Sequence, residues 1–265
     1  MRMISVEVTA TRGSAPRDAG TVMCVDDAQS IGTIGGGALE HRAIATARRM
    51  LRQNQSDLEE TLPLGPGLGQ CCGGSVSLRY SRASKPADAI RTQPLDPALL
   101  PPQPLGPLWL WGAGHVGRAF VRLLGPVRAF DITWIDTGQD RFPPNLPPLV
   151  TALPSSDMPR LASFAPRDAH HLIFTYSHDI DLALCAALLG RGFRSCGVIG
   201  SATKWARFQR RLRDSGLAPG SITCPIGDPA QGKHPDQIAH STVTALLRSA
   251  QFLHDSAPSQ SVARR

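Results

Sequence analysis

Several things this chain does not contain narrow its class. No stretch approaches the roughly 20 consecutive apolar residues of a membrane-spanning helix, so no membrane span is expected. The C-x-x-C and H-E-x-x-H spacings, the Walker phosphate loop and the G-x-S-x-G nucleophile elbow are all missing. Their absence removes the zinc-ribbon, metalloprotease, P-loop and α/β-hydrolase readings. Aromatic residues are scarce, at 5%. Lys and Arg outnumber Asp and Glu by 28 to 21, yet no basic stripe interleaved with rings appears, only short pairs such as Arg48-Arg49 and Arg210-Arg211. Nucleic acid is therefore not the expected partner, and the net charge of +7 implies only a mild preference for anionic ligands. Six cysteines in 265 residues do not suggest a disulfide framework. The opening MRMISVEVTATRG alternates like a strand and lacks a signal-peptide core, so a cytoplasmic location is expected. No internal repeat is visible.

The stretch around which the rest is organised runs from Pro107 to Asp136. An apolar run, Leu108 to Trp111, reads as a buried strand. Gly112, Gly114 and Gly117 form a G-x-G-x-x-G turn. Val116, Ala119, Phe120, Leu123 and Leu124 follow at helical spacing. A second strand, Asp131 to Ile135, ends at Asp136, 19 residues past the third glycine. Strand, glycine turn, helix, strand and acid together make a Rossmann fingerprint. The first glycine permits the tight turn, the second lets a pyrophosphate approach the backbone, and the third lets helix and strand pack closely. Asp136 stands where an acid holds a ribose hydroxyl. Two features set the turn apart from an ordinary nicotinamide site: His115 is large and titratable, and Thr137-Gly-Gln-Asp140 suits a tight turn as well as a ribose.

Upstream, residues 3–9 alternate as a half-buried strand. The turn Thr11 to Arg17 carries two guanidiniums, Arg12 and Arg17, either as a plain Gly/Pro loop or as a lip that forks onto phosphate. Thr21–Val25 and Ser30–Ile34 read as a hairpin. Gly35-Gly36-Gly37 then feed a helix from Ala38 to about Arg52, with Leu39, Ala43, Thr46, Ala47 and Met50 on its apolar face. This second glycine turn at a helix start is another natural anion seat, and Glu40 in the first turn suits the helix dipole. Leu58–Leu64 and Ser75–Tyr80 read as strands. Between them lies a glycine-rich loop holding Gln70, Cys71 and Cys72. With small neighbours, either thiol could be exposed and reactive or simply half-buried.

Residues 85–107 form a proline-rich linker. Past the Rossmann opening come a weak strand at Leu149–Leu153, a clearer one at His171–Tyr176, a helix Leu182–Leu189, and a strand Ser195–Gly200. A helix carrying Trp205, Phe208 and Leu212 follows, then a strand Ile222–Ile226 and a last helix from Pro235 with Ile238, Thr242, Ala245, Leu246, Ser249 and Leu253 as its stripe. His178 and Asp181 sit at the carboxyl end of a strand, where doubly wound sheets bind ligands, or serve as helix-start residues. Ser201 can cap its helix, and Lys204 either reaches an anion or snorkels into water. The expected architecture is α/β: an N-terminal α+β domain (1–84), the linker, a Rossmann-like doubly wound parallel-sheet domain (108–253), and a disordered tail (254–265).

Five segments in this order resemble the XdhC/CoxI family: Arg12-Gly-Ser-Ala-Pro-Arg17, Ile34-Gly-Gly-Gly-Ala-Leu-Glu40, Gln70-Cys-Cys-Gly-Gly74, Gly112-Ala-Gly-His-Val-Gly117 and Cys196-Gly-Val-Ile-Gly-Ser201. The likeness covers nearly all of residues 3–250. Only Gly227-Asp-Pro-Ala-Gln-Gly232 is more polar than the family pattern. The resemblance implies a cytoplasmic, homodimeric chaperone and not an enzyme. Such a protein binds the molybdenum cofactor (molybdopterin), supports its terminal sulfuration with a cysteine desulfurase, and inserts it into xanthine dehydrogenase. On this reading the glycine turns (Gly35, Gly36, Gly37; Gly112, Gly114, Gly117), Arg12, Arg17, Glu40, Gln70, His115, Asp136, His178, Ser201 and Lys204 surround the cargo. Cys71 or Cys72 approaches its molybdenum. The competing readings are an NAD(P)-dependent oxidoreductase, with His178 as its acid or base, and a Rossmann-like regulatory module without cargo.

Overall fold

The computed structural model describes residues 2–65, 74–82, 85–87 and 93–255, with side chains described up to residue 250. The N-terminal half is a five-stranded antiparallel sheet in the order β3-β2-β1-β5-β4. Its strands are β1 (Ile4–Arg12), β2 (Val22–Val25), β3 (Ser30–Ile31), β4 (Asp57–Pro63) and β5 (Ser75–Ser81). α1 (Gly37–Gln53) covers one face. Leu39, Ala43, Ala47 and Met50 recur at helical spacing and join Val6, Val8, Met23, Leu78 and Tyr80 in one core. Fully burying Leu39 or Met50 contributes roughly 1.5–3 kcal/mol each. The second hairpin strand stops at Ile31, earlier than its alternation suggests, because Gly32 turns the chain at φ 81°. Ile34 is thereby free to enter the core.

The C-terminal half begins with β6 (Pro107–Trp111), α2 (His115–Leu124) and β7 (Asp131–Asp136). It continues with β8 (Val150–Pro154), α3 (Met158–Ala162), β9 (His170–Ile173) and α4 (His178–Arg191). β10 (Ser195–Val198), α5 (Ala202–Asp214), β11 (Ile222–Thr223) and α6 (Pro235–Asp255) complete it. All six strands are parallel, in the order β11-β10-β9-β6-β7-β8. Counted from β6, that is the 3-2-1-4-5-6 order of the dinucleotide-binding fold, with its topological switch point between β6 and β9. Alternation along β6 divides the two layers. Leu108 and Leu110 face α2 and α6, while Trp111 joins α3, α4 and α5 on the other side.

The elements depart from the sequence pattern where side-chain bonds end them early. β9 stops at Ile173 and α4 begins at His178, because Ser177 caps the helix by accepting from the Ile180 N–H. β11 is only two residues long, since Pro225 has no N–H for a ladder. The short α3 was not expected. The far half of the linker is packed against the second domain: Leu95, Leu99 and Leu105 lie on its core. Helix α6 runs through residues 254 and 255, which the pattern placed in a disordered tail.

At the start of β9, His170 and His171 are almost wholly buried. His171 Nδ1 accepts from Trp111 Nε1 at 3.2 Å, and His170 Nδ1 pairs with Ser195 Oγ at 2.7 Å. Burial lowers their pKa values to about 4 for His170 and about 3 for His171. The unfolded chain, titrating near 6.5, therefore takes up these protons first. Stability should hold above about pH 6.5 and fall as pH drops toward 4 and 3, by about 2 kcal/mol per histidine at pH 5. The double variant His170→Asn/His171→Asn keeps a polar side chain at both positions and should flatten this dependence; equal urea midpoints for the native chain at pH 7.5 and pH 5 would contradict it.

Candidate functional site

Each domain starts a helix from a glycine turn, and the two starts meet. α1 is preceded by Gly35 and Gly36, which with Gly37 take φ of 125°, 74° and 61°. α2 is preceded by Gly112 at φ 113° and by Gly114. Neither helix has a side-chain cap, so N–H groups at both starts remain for other acceptors. Glu40 Oε1 lies 2.6 Å from His115 Nε2, tying the first turn of one helix to that of the other across the domain boundary.

Glu40 is a fully used carboxylate. Its Oε2 accepts from Thr33 Oγ1 at 2.5 Å, Ile34 N at 3.0 Å and Gly36 N at 3.1 Å. The last contact reaches back along the helix in the manner of a capping box. Burial pushes its pKa up, but the bonds from His115, Thr33 and Gly36 outweigh this and hold it below the usual carboxylate range. The Arg12–Arg17 turn packs onto the same place. A Cβ on Gly35 would lie 2.5 Å from Pro16 Cγ, and Arg17 is buried there, whereas Arg12 is exposed. Arg12 lines a cavity of about 270 Å³ with Thr11, Thr61, Ser75 and Ser77. Gln70, Cys71 and Cys72 lie outside the described residues. Gly74, just after them, abuts the Arg12 and Ser14 carbonyls.

In the second glycine turn, each glycine meets different surroundings. A Cβ on Gly112 would strike the Phe174 carbonyl at 2.4 Å, and one on Gly117 the Gly112 carbonyl at 2.2 Å, while Gly114 has nothing within 4 Å. Gly114→Ala is therefore expected to leave thermal stability within about 0.5 kcal/mol. Gly117→Ala should destabilise by at least about 2 kcal/mol, since the fully packed turn must move; melting curves of the two variants test the contrast. Asp136 braces this turn from below. It accepts from Ala113 N at 2.5 Å and Thr137 N at 2.6 Å, with Arg141 Nε at 3.5 Å, and is 2% exposed. The acid expected to meet a ribose is thus consumed by the turn itself. Arg118 locks the other side, donating to the Ala113 and Arg141 carbonyls.

A second constellation lies over β9 and β10. Lys204 Nζ donates to Asp181 Oδ2 at 2.5 Å and to the Ile199 carbonyl at 2.8 Å, and Thr175 Oγ1 donates to Asp181 Oδ1 at 2.6 Å. Lys204 therefore does not snorkel into water; the anion it reaches is Asp181 of the same chain. Its stem folds back over Gly200, where a Cβ would lie 2.6 Å from Lys204 Cδ, so only glycine leaves room. Burial pushes the Asp181 carboxyl up, and Lys204 and Thr175 pull it back only part way. Ser201 is spent capping α5. His178 is half-buried, edge-on to Phe208, and burial and Lys204 lower its pKa to about 4. Neither Thr33 nor Thr175 stood out in the sequence, because a hydroxyl that serves a buried carboxylate has no local signature. Among the described residues no three metal-ligating side chains converge, and no helix is long and apolar enough to cross a membrane.

Residues 108–246 match the XdhC Rossmann domain family, and residues 2–61 match the XdhC and CoxI family. The chain is 26% identical over 252 residues to the uncharacterized protein YqeB of Escherichia coli, covering 91% of this chain and 42% of that protein. It thus spans less than half the length of that relative. A crystal structure described as a xanthine dehydrogenase from Bacillus halodurans aligns over 98% of this chain and 94% of that one, at 18% identity and a TM-score of 0.49. A Rossmann-fold NAD(P)-binding family protein from Shigella flexneri aligns over 54% of this chain and 87% of that one, at 12% identity and a TM-score of 0.39.

Proposed function

The chain belongs to the XdhC and CoxI family, and from that premise we propose that it is an accessory protein whose cargo, the molybdenum cofactor, is held between its two domains. It keeps the cofactor for sulfuration by a cysteine desulfurase and passes it to xanthine dehydrogenase, working as a homodimer. Family membership supports an accessory role over a catalytic one. The observation that carries the reading is the Glu40–His115 contact, which sets two helix starts that lack an N-cap side chain, one from each domain, against one another. Such starts favour the terminal phosphate of molybdopterin. Cys71 and Cys72 offer soft donors suited to the metal end or to a passing persulfide.

The nicotinamide reading has the strand order and the glycine turn in its favour. Against it, both Asp136 oxygens already accept from the turn and the side chain is 3% exposed, so a ribose hydroxyl has little access to it. Asp136→Ala would therefore disturb the turn along with any nucleotide, and Asp136→Asn is the cleaner probe. The deciding experiment is expression in a host that makes molybdenum cofactor, followed by quantifying molybdenum and released pterin per chain. The native protein should retain close to one pterin per chain. Cys71→Ala/Cys72→Ala should retain at least about tenfold less while melting normally, as expected when about 1.4 kcal/mol or more of ligand contact is lost. Native protein that emerges empty and turns over a nicotinamide would overturn the proposal.

A further inference from the structure

We propose that Arg12 and the hydroxyls of Thr61, Ser75 and Ser77 form a binding site for a small phosphate-class oxyanion, on the face of the N-terminal sheet that points away from α1. The site stands apart from the Glu40–His115 contact between the domains and does not rest on the cofactor reading.

A β-bulge builds it. Along β1, Ile4, Val6 and Val8 alternate into the core, and the same period would send Ala10 and Arg12 inward after them. The register prevents this. Val8 pairs with Leu78 and the next pair is Ala10 with Ser77, so Thr9 is the extra residue. Residues paired across strands share a face. Ala10 and Arg12 therefore turn outward with Ser77 and Ser75, while Val76, Leu78 and Tyr80 of the same strand fill the core. β4 sets Thr61 opposite Ser77 on that outer face. Thr9 Oγ1 ties down the bulge by donating to the Ser77 carbonyl at 3.2 Å. The described start of the linker crosses the same face over β1 and β2, where Lys85 meets Ser5, Cys24 and Glu7. At the Arg12 end the small side chains leave the cavity of about 270 Å³.

The lining selects by charge. Among the described residues it holds a guanidinium and hydroxyls but no carboxylate. Arg12 is exposed, and the glutamates of these strands are engaged elsewhere. Glu59 lies 3.8 Å from Arg79 and Glu7 lies 2.6 Å from Lys85, while Glu60 accepts from Tyr80 Oη at 2.6 Å and Arg42 at 3.4 Å. Thr61 Oγ1 and Ser77 Oγ share one hydrogen bond at 2.9 Å, which uses one hydroxyl proton and leaves the other to donate. A cation would meet the guanidinium, and an apolar group would strip water from the hydroxyls without replacing its bonds. A neutral polar ligand would gain nothing from the charge. An oxyanion uses all of it, since a guanidinium fork matches two of its oxygens and the hydroxyls reach a third. The cavity is smaller than the roughly 300–1,000 Å³ of drug-sized sites, so the occupant is small. Arg17, the other guanidinium of the turn, is buried behind Gly35. The two arginines thus do not fork onto one ligand.

The test follows backbone amides of the full chain by NMR during titration with inorganic phosphate and, separately, with glycerol 2-phosphate. The salt is about 0.15 M, where exposed charges more than about 8 Å apart are screened. Saturating shifts are expected at Thr11, Arg12, Thr61, Ser75 and Ser77, with a Kd of about 1 mM, the strength that a few exposed charge-assisted bonds supply. Tighter binding of the ester assigns an organic phosphate, and equal or tighter binding of the free ion assigns the inorganic anion; either supports the site. Arg12→Gln should weaken binding at least about tenfold while melting normally, because it removes the fork from an exposed position. Arg79→Gln removes the same charge two residues beyond Ser77 and should leave binding within about twofold. An equal loss in both variants would reduce the effect to net charge and overturn the assignment. So would shifts that do not saturate by about 20 mM, or shifts confined to the glycine turns at Gly35–Gly37 and Gly112–Gly117.

Discussion

Lys204→Ala is expected to lower stability at neutral pH by about 3–5 kcal/mol, the usual result of stripping one partner from a buried ion pair. Asp181 is fully buried, and without the ammonium it keeps only hydrogen bonds from Thr175, by hydroxyl and by backbone. In a domain of this size the loss corresponds to roughly 10 °C in thermal midpoint. The variant also sets a pH dependence whose direction is fixed. Asp181 already titrates above its unfolded value because of burial, and removing Lys204 raises it further. Below the unfolded carboxyl value both states carry the proton and the penalty is small; it grows as pH rises, because the unfolded carboxyl ionises freely and the buried one does not. Melts of Lys204→Ala at pH 4.5 and 7.5, each against native protein, should show the larger gap at pH 7.5. The double variant Lys204→Ala/Asp181→Leu should recover much of the loss, since an apolar pair needs no counter-charge. If the double variant melts no higher than Lys204→Ala alone, the stability lies elsewhere in the α4–α5 contact.

Glu40→Ala should cost about 3 kcal/mol or more, because it strands the Thr33 hydroxyl and the Ile34 and Gly36 N–H groups without an acceptor. It also removes the contact that joins α1 to α2. Two consequences separate in calorimetry. The N-terminal domain should melt earlier, and its transition should part from that of the Rossmann domain, which keeps its own core intact. His115→Ala breaks the same contact but leaves Glu40 its three other donors, so it should uncouple the transitions with a much smaller drop. If both variants melted like the native chain, the contact would carry neither the turn nor the domain pairing.

How much of this was legible beforehand follows from the range of the signals. The Rossmann half was, because each part of its fingerprint is local: an apolar strand, three glycines at fixed spacing, a helical stripe and an acid. The glycines behave as such a turn requires, with Gly112 and Gly117 pressed against backbone and Gly114 open. Family resemblance was readable for the same reason, since its motifs are short and ordered. Asp136 and Lys204 each stayed open between two readings because residue type does not say whether a charge faces outward or inward. A carboxylate at the end of β7 can hold a ribose or close its own turn, and only the Ala113 and Thr137 N–H groups reaching it decide between the two. Likewise a lysine one turn into α5 looks like a surface cation until its stem is seen folded over Gly200 into a pocket that holds Asp181.

The amino-acid pattern by itself determined an α+β half, a parallel doubly wound sheet, and two glycine turns feeding helix starts, since hydrophobic period and glycine spacing act within a few residues. What the tertiary structure alone decided is that these turns, one in each domain, are neighbours, joined by Glu40 and His115. No local pattern encodes that pairing: the two residues stand 75 positions apart, and their contact depends on how the two sheets dock.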